Sequence, residues 1–239
     1  MTTQMVCQFC RAWDASPRNL IVVSDGTRSE VSIRKDFSFW KGNLIIADWE
    51  ACLMDYSGDA AALRNFASRC VYGRKLAAIL HYAKEGPVLF SDSDVLWHRP
   101  LTGIPTGNGV LLKMCEDFEP SYNQELIAEM AWDHLLLRAP MNVGVVYLSG
   151  DLVKESPWFD MAIRKLDEPY KFPEQTILAA ANHNHDHWTL SEVHIRLDDL
   201  HQLFTKRQPW AARHYVACTK RKFWRDATLE NIKSLLPRK

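Results

Sequence analysis

The stretch Pro87-Val88-Leu89-Phe90-Ser91-Asp92-Ser93-Asp94-Val95-Leu96-Trp97 decides how this chain is read. Val88 to Phe90 form a short apolar run, set off upstream by Gly86-Pro87, which is the pattern of a buried strand. Two carboxylates, one residue apart, follow at its C-terminal edge. Val95-Leu96-Trp97 carries the chain onward until Pro100 breaks it. Carboxylates so placed can both reach a hard divalent cation, which takes oxygen ligands and is often shared with substrate phosphates. The plain alternative is a turn, because Asp and Ser hydrogen-bond their own backbone and favour turns.

Working outward, the same strand pattern recurs. Leu20-Ile21-Val22-Val23 precedes the turn Ser24-Asp25-Gly26, and Leu44-Ile45-Ile46-Ala47 precedes Asp48. Val110 to Met114 and Val143 to Leu148 are further strands. All are short, largely apolar and bounded by polar residues, as buried strands of α/β proteins are. Between Asp59 and Lys84 the pattern turns helical, with Leu76, Ile79, Leu80 and Ala83 on one face. Leu126, Ile127, Met130, Ala131 and Leu135 mark a second amphipathic helix. Ser156-Pro157 has the form of an N-cap followed by proline at the first helical position. Another helix is expected from Pro173-Glu174 and a short terminal one over residues 228–236. Alternating strands and helices predict an α/β fold, with a mixed, mainly parallel central sheet and helices on both faces. Ligands of such folds gather at the carboxyl ends of strands, where Asp25, Asp48, Asp92 and Asp94 all fall.

A chain of 239 residues suits one domain, 1–239, with a core that needs no disulfide or metal staple. Hydrophobic residues make up 47% and charged residues 24%, the ordinary balance of a globular protein. Lys plus Arg equals Asp plus Glu, which gives no support for nucleic-acid binding. No window approaches the ~20 apolar residues of a membrane span, and the first residues lack the apolar run of a signal peptide. These features predict a cytoplasmic protein, or the soluble part of a peripheral enzyme. Cys7 and Cys10 form a lone CxxC without the second ligand pair that zinc requires. The run His183-Asn184-His185-Asp186-His187 reads as a polar loop. Trp97, Trp158, Trp188, Trp210 and Trp224 are candidates for ring-stacking platforms or, for most of them, for the core.

Four more segments join the Asp92-Ser93-Asp94 motif: Tyr72-Gly73-Arg74-Lys75-Leu76, Met141-Asn142-Val143-Gly144-Val145, Pro173-Glu174-Gln175-Thr176-Ile177-Leu178, and His214-Tyr215 with Lys220, Lys222 and Trp224. In this order they resemble the motifs of family 8 of the retaining glycosyltransferases, a GT-A fold group. The resemblance runs from about Leu20 to Trp224. Glu174 stands where that family has Asp, Thr176 replaces the following Asp, and Ala179 falls where the helix carries Asn. The late motif, His214 to Trp224, has neither Gly nor Pro. A Glu-Gln pair and a late His motif also occur in the retaining galactomannan and xylosyl transferases. The likeness is therefore to GT-A transferases more broadly.

The resemblance implies a metal-dependent glycosyltransferase that moves a hexose from a nucleotide-diphosphate sugar, a UDP-sugar above all, with retention. The acceptor would be a glycan, lipid or protein. Asp92, Asp94 and His214 would hold Mn²⁺ or Mg²⁺, Mn²⁺ tolerating the nitrogen better. Asp25, Ser93, Gly144, Lys75 and Arg74 would meet the donor. Lys220, or Lys222 on a longer loop, would grip the diphosphate as a point charge. Gln175, with Glu174 and Asn142, would lie at the reacting carbon, and Glu116 or Asp117 would be the base of an inverting reaction. Each has a plainer role. His214 could be a core histidine, Lys220 to Lys222 a solvated basic run, Arg74 a helix-face ion pair, and Asn142 to Gly144 a turn. Two other classes use the same architecture: a sugar nucleotidyltransferase, and a non-catalytic nucleotide-sugar-binding protein. The first expects a glycine-rich loop after the first strand, and Ser24-Asp25-Gly26-Thr27-Arg28 is poor in glycine. The second expects loss of the metal carboxylates, and both are present.

Overall fold

The computed structural model describes residues 2–13, 18–24, 26–102, 104, 109–166, 172–184, 189–190, 193–195, 210–216 and 219–235. The chain is mixed α/β. It opens with α1 (Thr2–Ala12), β1 (Asn19–Val23), α2 (Glu30–Asp36) and β2 (Asn43–Ala47), followed by α3 (Ala60–Arg69) and α4 (Val71–Glu85). Next come β3 (Val88–Ser91), β4 (Val95–Trp97), β5 (Leu111–Glu116), α5 (Gln124–Met130) and β6 (Met141–Ser149). The chain continues through α6 (Leu152–Glu155), α7 (Phe159–Arg164), α8 (Pro173–Asn184), β7 (Val193–Ile195), β8 (Ala212–His214) and α9 (Lys220–Leu235).

The strands form three small sheets, ordered β1-β2, β3-β6-β5 and β4-β8-β7. β1 pairs parallel with β2, and β7 with β8. β6 pairs antiparallel with both β3 and β5, and β4 antiparallel with β8. A single, mainly parallel central sheet is thus not what the described residues form. The physical reason is that an all-apolar strand reports burial on both faces, which either strand direction satisfies.

Side-chain alternation sorts the β3-β6-β5 sheet into two cores. Val146, Leu148, Leu112 and Met114 face α3, α4, α5, α7 and α8, in a core that includes Leu63, Leu76, Ile127, Phe159 and Ile177. Val145 and Cys115 face the other way, toward Val95, Trp97 and Ala212 of the β4-β8-β7 sheet and toward Met5 and Val6 of α1, Ile33 of α2 and Phe37 just after it. Met114 and Cys115, neighbours on β5, fall into different cores by this alternation, and the β5-β6 register shifts between them.

Four helix boundaries differ from expectation. The run from Asp59 breaks at Cys70, whose backbone is extended, giving α3 and α4. There Gly73 packs so closely that a β-carbon would stand 2.6 Å from the Ala67 Cα. The second helix stops at Met130, because Ala131 takes the left-handed conformation. Ser156 is no N-cap: it ends α6, its hydroxyl is buried without a partner among the described residues, and α7 starts at Phe159. The terminal helix begins at Lys220, earlier than its apolar spacing suggests. No helix among the described residues is long and apolar enough to cross a membrane.

Candidate metal centre

The site forms where the chain leaves one sheet for another. β3 ends at Ser91, paired with Val145 of β6. The Asp92 N–H donates to the Gly144 carbonyl at 2.7 Å, and the Val95 N–H to the Asp92 carbonyl at 3.2 Å, so residues 92–95 make a tight turn. β4 then starts at Val95, opposite His214 of β8. The Tyr215 N–H donates to the Asp94 carbonyl at 2.9 Å and fixes the far side of the turn. Two sheets therefore clamp Asp92-Ser93-Asp94, and β8 brings His214 across a sequence distance of 120 residues.

The His214 Nε2 lies 3.1 Å from Asp94 Oδ1 and 3.9 Å from Asp92 Oδ2. One donor atom each from Asp92, Asp94 and His214 falls within 4.8 Å of the others, the one such cluster among the described residues. Two carboxylate oxygens and an imidazole nitrogen, all converging, fit a divalent cation such as Mn²⁺ or Mg²⁺. Cys7 and Cys10, both on α1, belong to no such cluster.

Cations already face these carboxylates. Lys220 Nζ, at the start of α9, is 3.0 Å from Asp94 Oδ2. Lys75 of α4 is buried and donates to Asp92 Oδ1 at 3.0 Å and to the Val143 carbonyl at 3.1 Å. Burial alone would raise the Asp94 carboxyl, but the His214 hydrogen bond and charge, with the Lys220 ammonium, hold it down at about 2. Burial would likewise discharge Lys75. The Asp92 and Glu174 carboxylates outweigh it and push Lys75 above its ordinary value.

The first turn of α8 supplies Glu174 and Gln175, both buried. Burial raises Glu174 to about 7 against the pull of Lys75, and its Oε2 has no hydrogen-bond partner among the described residues. Gln175 is taken up by backbone: its Oε1 accepts from the Val143 N–H at 3.4 Å and its Nε2 donates to the Ser121 carbonyl at 2.9 Å. Asn142 links two parts of the site. Its Oδ1 accepts from the Gly144 N–H at 2.6 Å, and its Nδ2 donates to Asp117 Oδ2 at 2.9 Å. In the sequence Asp117 shows only as a candidate base; its bond to Asn142 spans 25 residues and leaves no local signal.

Arg74 lies apart from the carboxylates. Its Nε donates to the Ala67 carbonyl at 3.1 Å, and its guanidinium sits 5.7 Å from the Trp49 ring centre. A β-carbon on Gly26 would lie 3.5 Å from it, so Arg74 reaches the turn after β1. Ser93 is half-buried at the tip of the carboxylate turn. Lys222 follows Lys220 by two positions on α9, and residues so spaced do not share a helix face. Asp25, His185 to His187, Trp188 and Cys218 lie outside the described residues. Trp97 is core, stacked edge-on to Phe9 and Trp13, whereas Trp224 is 52% exposed.

Comparison of the chain with protein-family models, with curated proteins and with solved structures finds no match.

Proposed function

We propose that this protein is a metal-dependent glycosyltransferase that uses a nucleotide-diphosphate sugar, with a UDP-sugar as the first donor to test. One observation carries the reading: Asp92, Asp94 and His214 converge at the end of an apolar strand, with the Lys220 ammonium beside them. A divalent cation held there would neutralise charge developing on the leaving diphosphate. Lys220 is half-exposed and sits where it can exchange Asp94 for a phosphate oxygen, acting as a point charge. Lys75 stays charged in a buried position and keeps Asp92 aimed through its hydrogen bond. Asn142 and Gln175 hold the backbone of residues 142–144, against which the His214 ring rests.

The GT-A assignment belongs to the same proposal. Strands ending at the site and the order of the motifs support it; the split, largely antiparallel sheets require a variant of that architecture. Transfer with retention is the accompanying stereochemical reading. Gln175 is an amide engaged at both ends, so it supplies no nucleophile, and Glu174 is the buried carboxyl nearest it in sequence.

A donor screen tests the proposal. UDP-, GDP- and ADP-sugars are incubated with Mn²⁺ and the protein, and release of free nucleotide is measured. The expected result is Mn²⁺-dependent release from one donor series, lost in Asp94→Ala. Release from none of them, or release unchanged by EDTA, contradicts it.

A further inference from the structure

A cavity of about 1180 Å³ separates the β1-β2 ribbon from β3, larger than the ~300–1,000 Å³ of ordinary ligand pockets. Every residue of β1, Asn19–Val23, and every residue of β3, Val88–Ser91, lines it. Successive strand side chains point to opposite faces, so a cavity lined by all of them runs along the strand edges. The packing agrees. Leu20 and Val22 of β1, and Leu89 of β3, pack toward α1 and α2. Ile21 and Val23 pack toward Ala78 of α4, and Val88 and Phe90 join the core that holds Ile79 of α4. β1 and β3 thus lie in one layer, edge toward edge, with helices roofing both sides. Among the described residues β1 pairs only with β2, and β3 only with β6.

The slot is mainly apolar, with Val6, Phe9, Ile33 and Phe37 on one wall and Ala78 and Ile79 on the other, and with Arg18, Arg28, Asp36 and Glu85 also in its lining. Its polar end carries Lys75, Asp92 and Ser93, so it opens onto the carboxylate turn. A peptide strand is a poor occupant. β3 is only four residues long and is preceded by Pro87, which has no N–H to donate, and short, proline-flanked edges resist strand addition. A hydrocarbon chain asks for no such pairing and matches the lining.

We propose that the slot between β1 and β3 binds the long hydrocarbon chain of an amphiphile whose polar head lies at Lys75 and Asp92. Under the glycosyltransferase reading, on which this clause alone rests, that amphiphile is the acceptor, a lipid bearing a hydroxyl or phosphate head.

The probe is cis-parinaric acid, a long-chain polyene acid that fluoresces in apolar surroundings. Titration of the full chain is expected to saturate at one probe per chain, in buffer with EDTA as well as with Mn²⁺. Val22→Trp, which adds bulk at a residue lining the slot, should weaken binding at least about tenfold. Hydrogen exchange on the unaltered protein gives a second reading free of any variant: alternate amides of β1 exchange fast without the probe and slow with it. Absence of saturable binding, equal binding by a correctly folded Val22→Trp, or slow exchange at every β1 amide without probe would overturn the inference, the last because β1 and β3 would then pair directly. Loss of nucleotide binding with probe binding intact would count against the transferase reading and leave the slot standing.

Discussion

Gly144 lies directly beneath the imidazole of His214. A β-carbon at residue 144 would fall under 3.0 Å from both Nδ1 and Cε1 of the ring and 2.9 Å from Asn142 Oδ1. The ring therefore owes its position above the carboxylate turn to the missing side chain of Gly144, and to the β4-β8 pairing that sets His214 opposite Val95. Gly144→Ala is expected to displace the ring and cost at least about tenfold in Mn²⁺ affinity, the range seen when a partner that orients a metal ligand is lost. Calorimetry of Mn²⁺ binding checks it, with His214→Ala alongside; equal affinity in Gly144→Ala would separate the ring from the metal.

Glu174 ties stability to pH. Its carboxyl is raised to about 7 by burial. The folded state thus holds the proton more tightly than the unfolded chain, so this contribution is full below the ordinary glutamate range and is lost as pH rises through about 7. Glu174→Gln removes the titration while keeping the shape. The variant should gain on the wild type between pH 5 and pH 8, by on the order of 2 kcal/mol. Chemical denaturation at both pH values measures it; parallel profiles for the two proteins would show that Glu174 titrates normally.

Gln175 spans two backbone groups, the Val143 N–H and the Ser121 carbonyl, while buried. Gln175→Ala would leave both unpaired, at a cost of about 1–3 kcal/mol for each buried group. The melting temperature should fall with or without metal. If melting is unchanged and only turnover drops, the amide acts on substrate instead of on the β6 backbone.

The carboxylate turn is legible in the sequence because its determinants are local: an apolar run, a Gly-Pro stop before it and two Asp one residue apart. The strands β1, β2, β5 and β6 show for the same reason, and α8 starts at Pro173 as its proline and acidic first turn suggest. Strand direction does not show, because pairing is set by distant residues. The three-residue strands β4, β7 and β8 are too short to leave a period. That hides the route by which His214 reaches Asp94. α1 is hidden too: Met5, Val6 and Phe9 are spread among Thr, Gln and Cys, and only Phe9 meeting Trp97 reveals what the helix covers. Lys75 and Lys220 are visible as basic residues. Their partners, Asp92 and Asp94, lie 17 and 126 positions away and become visible only once the sheets are assembled.

The decisive measurement is metal-linked nucleotide binding. UDP is titrated into the protein by calorimetry with Mn²⁺, with EDTA, and into Asp94→Ala with Mn²⁺. The expected result is binding with Mn²⁺, a loss of at least about tenfold (1.4 kcal/mol) in EDTA, and a comparable loss in the variant. UDP affinity that is the same in Mn²⁺ and in EDTA would contradict it, because Asp92, Asp94 and His214 would then not join a metal to the nucleotide.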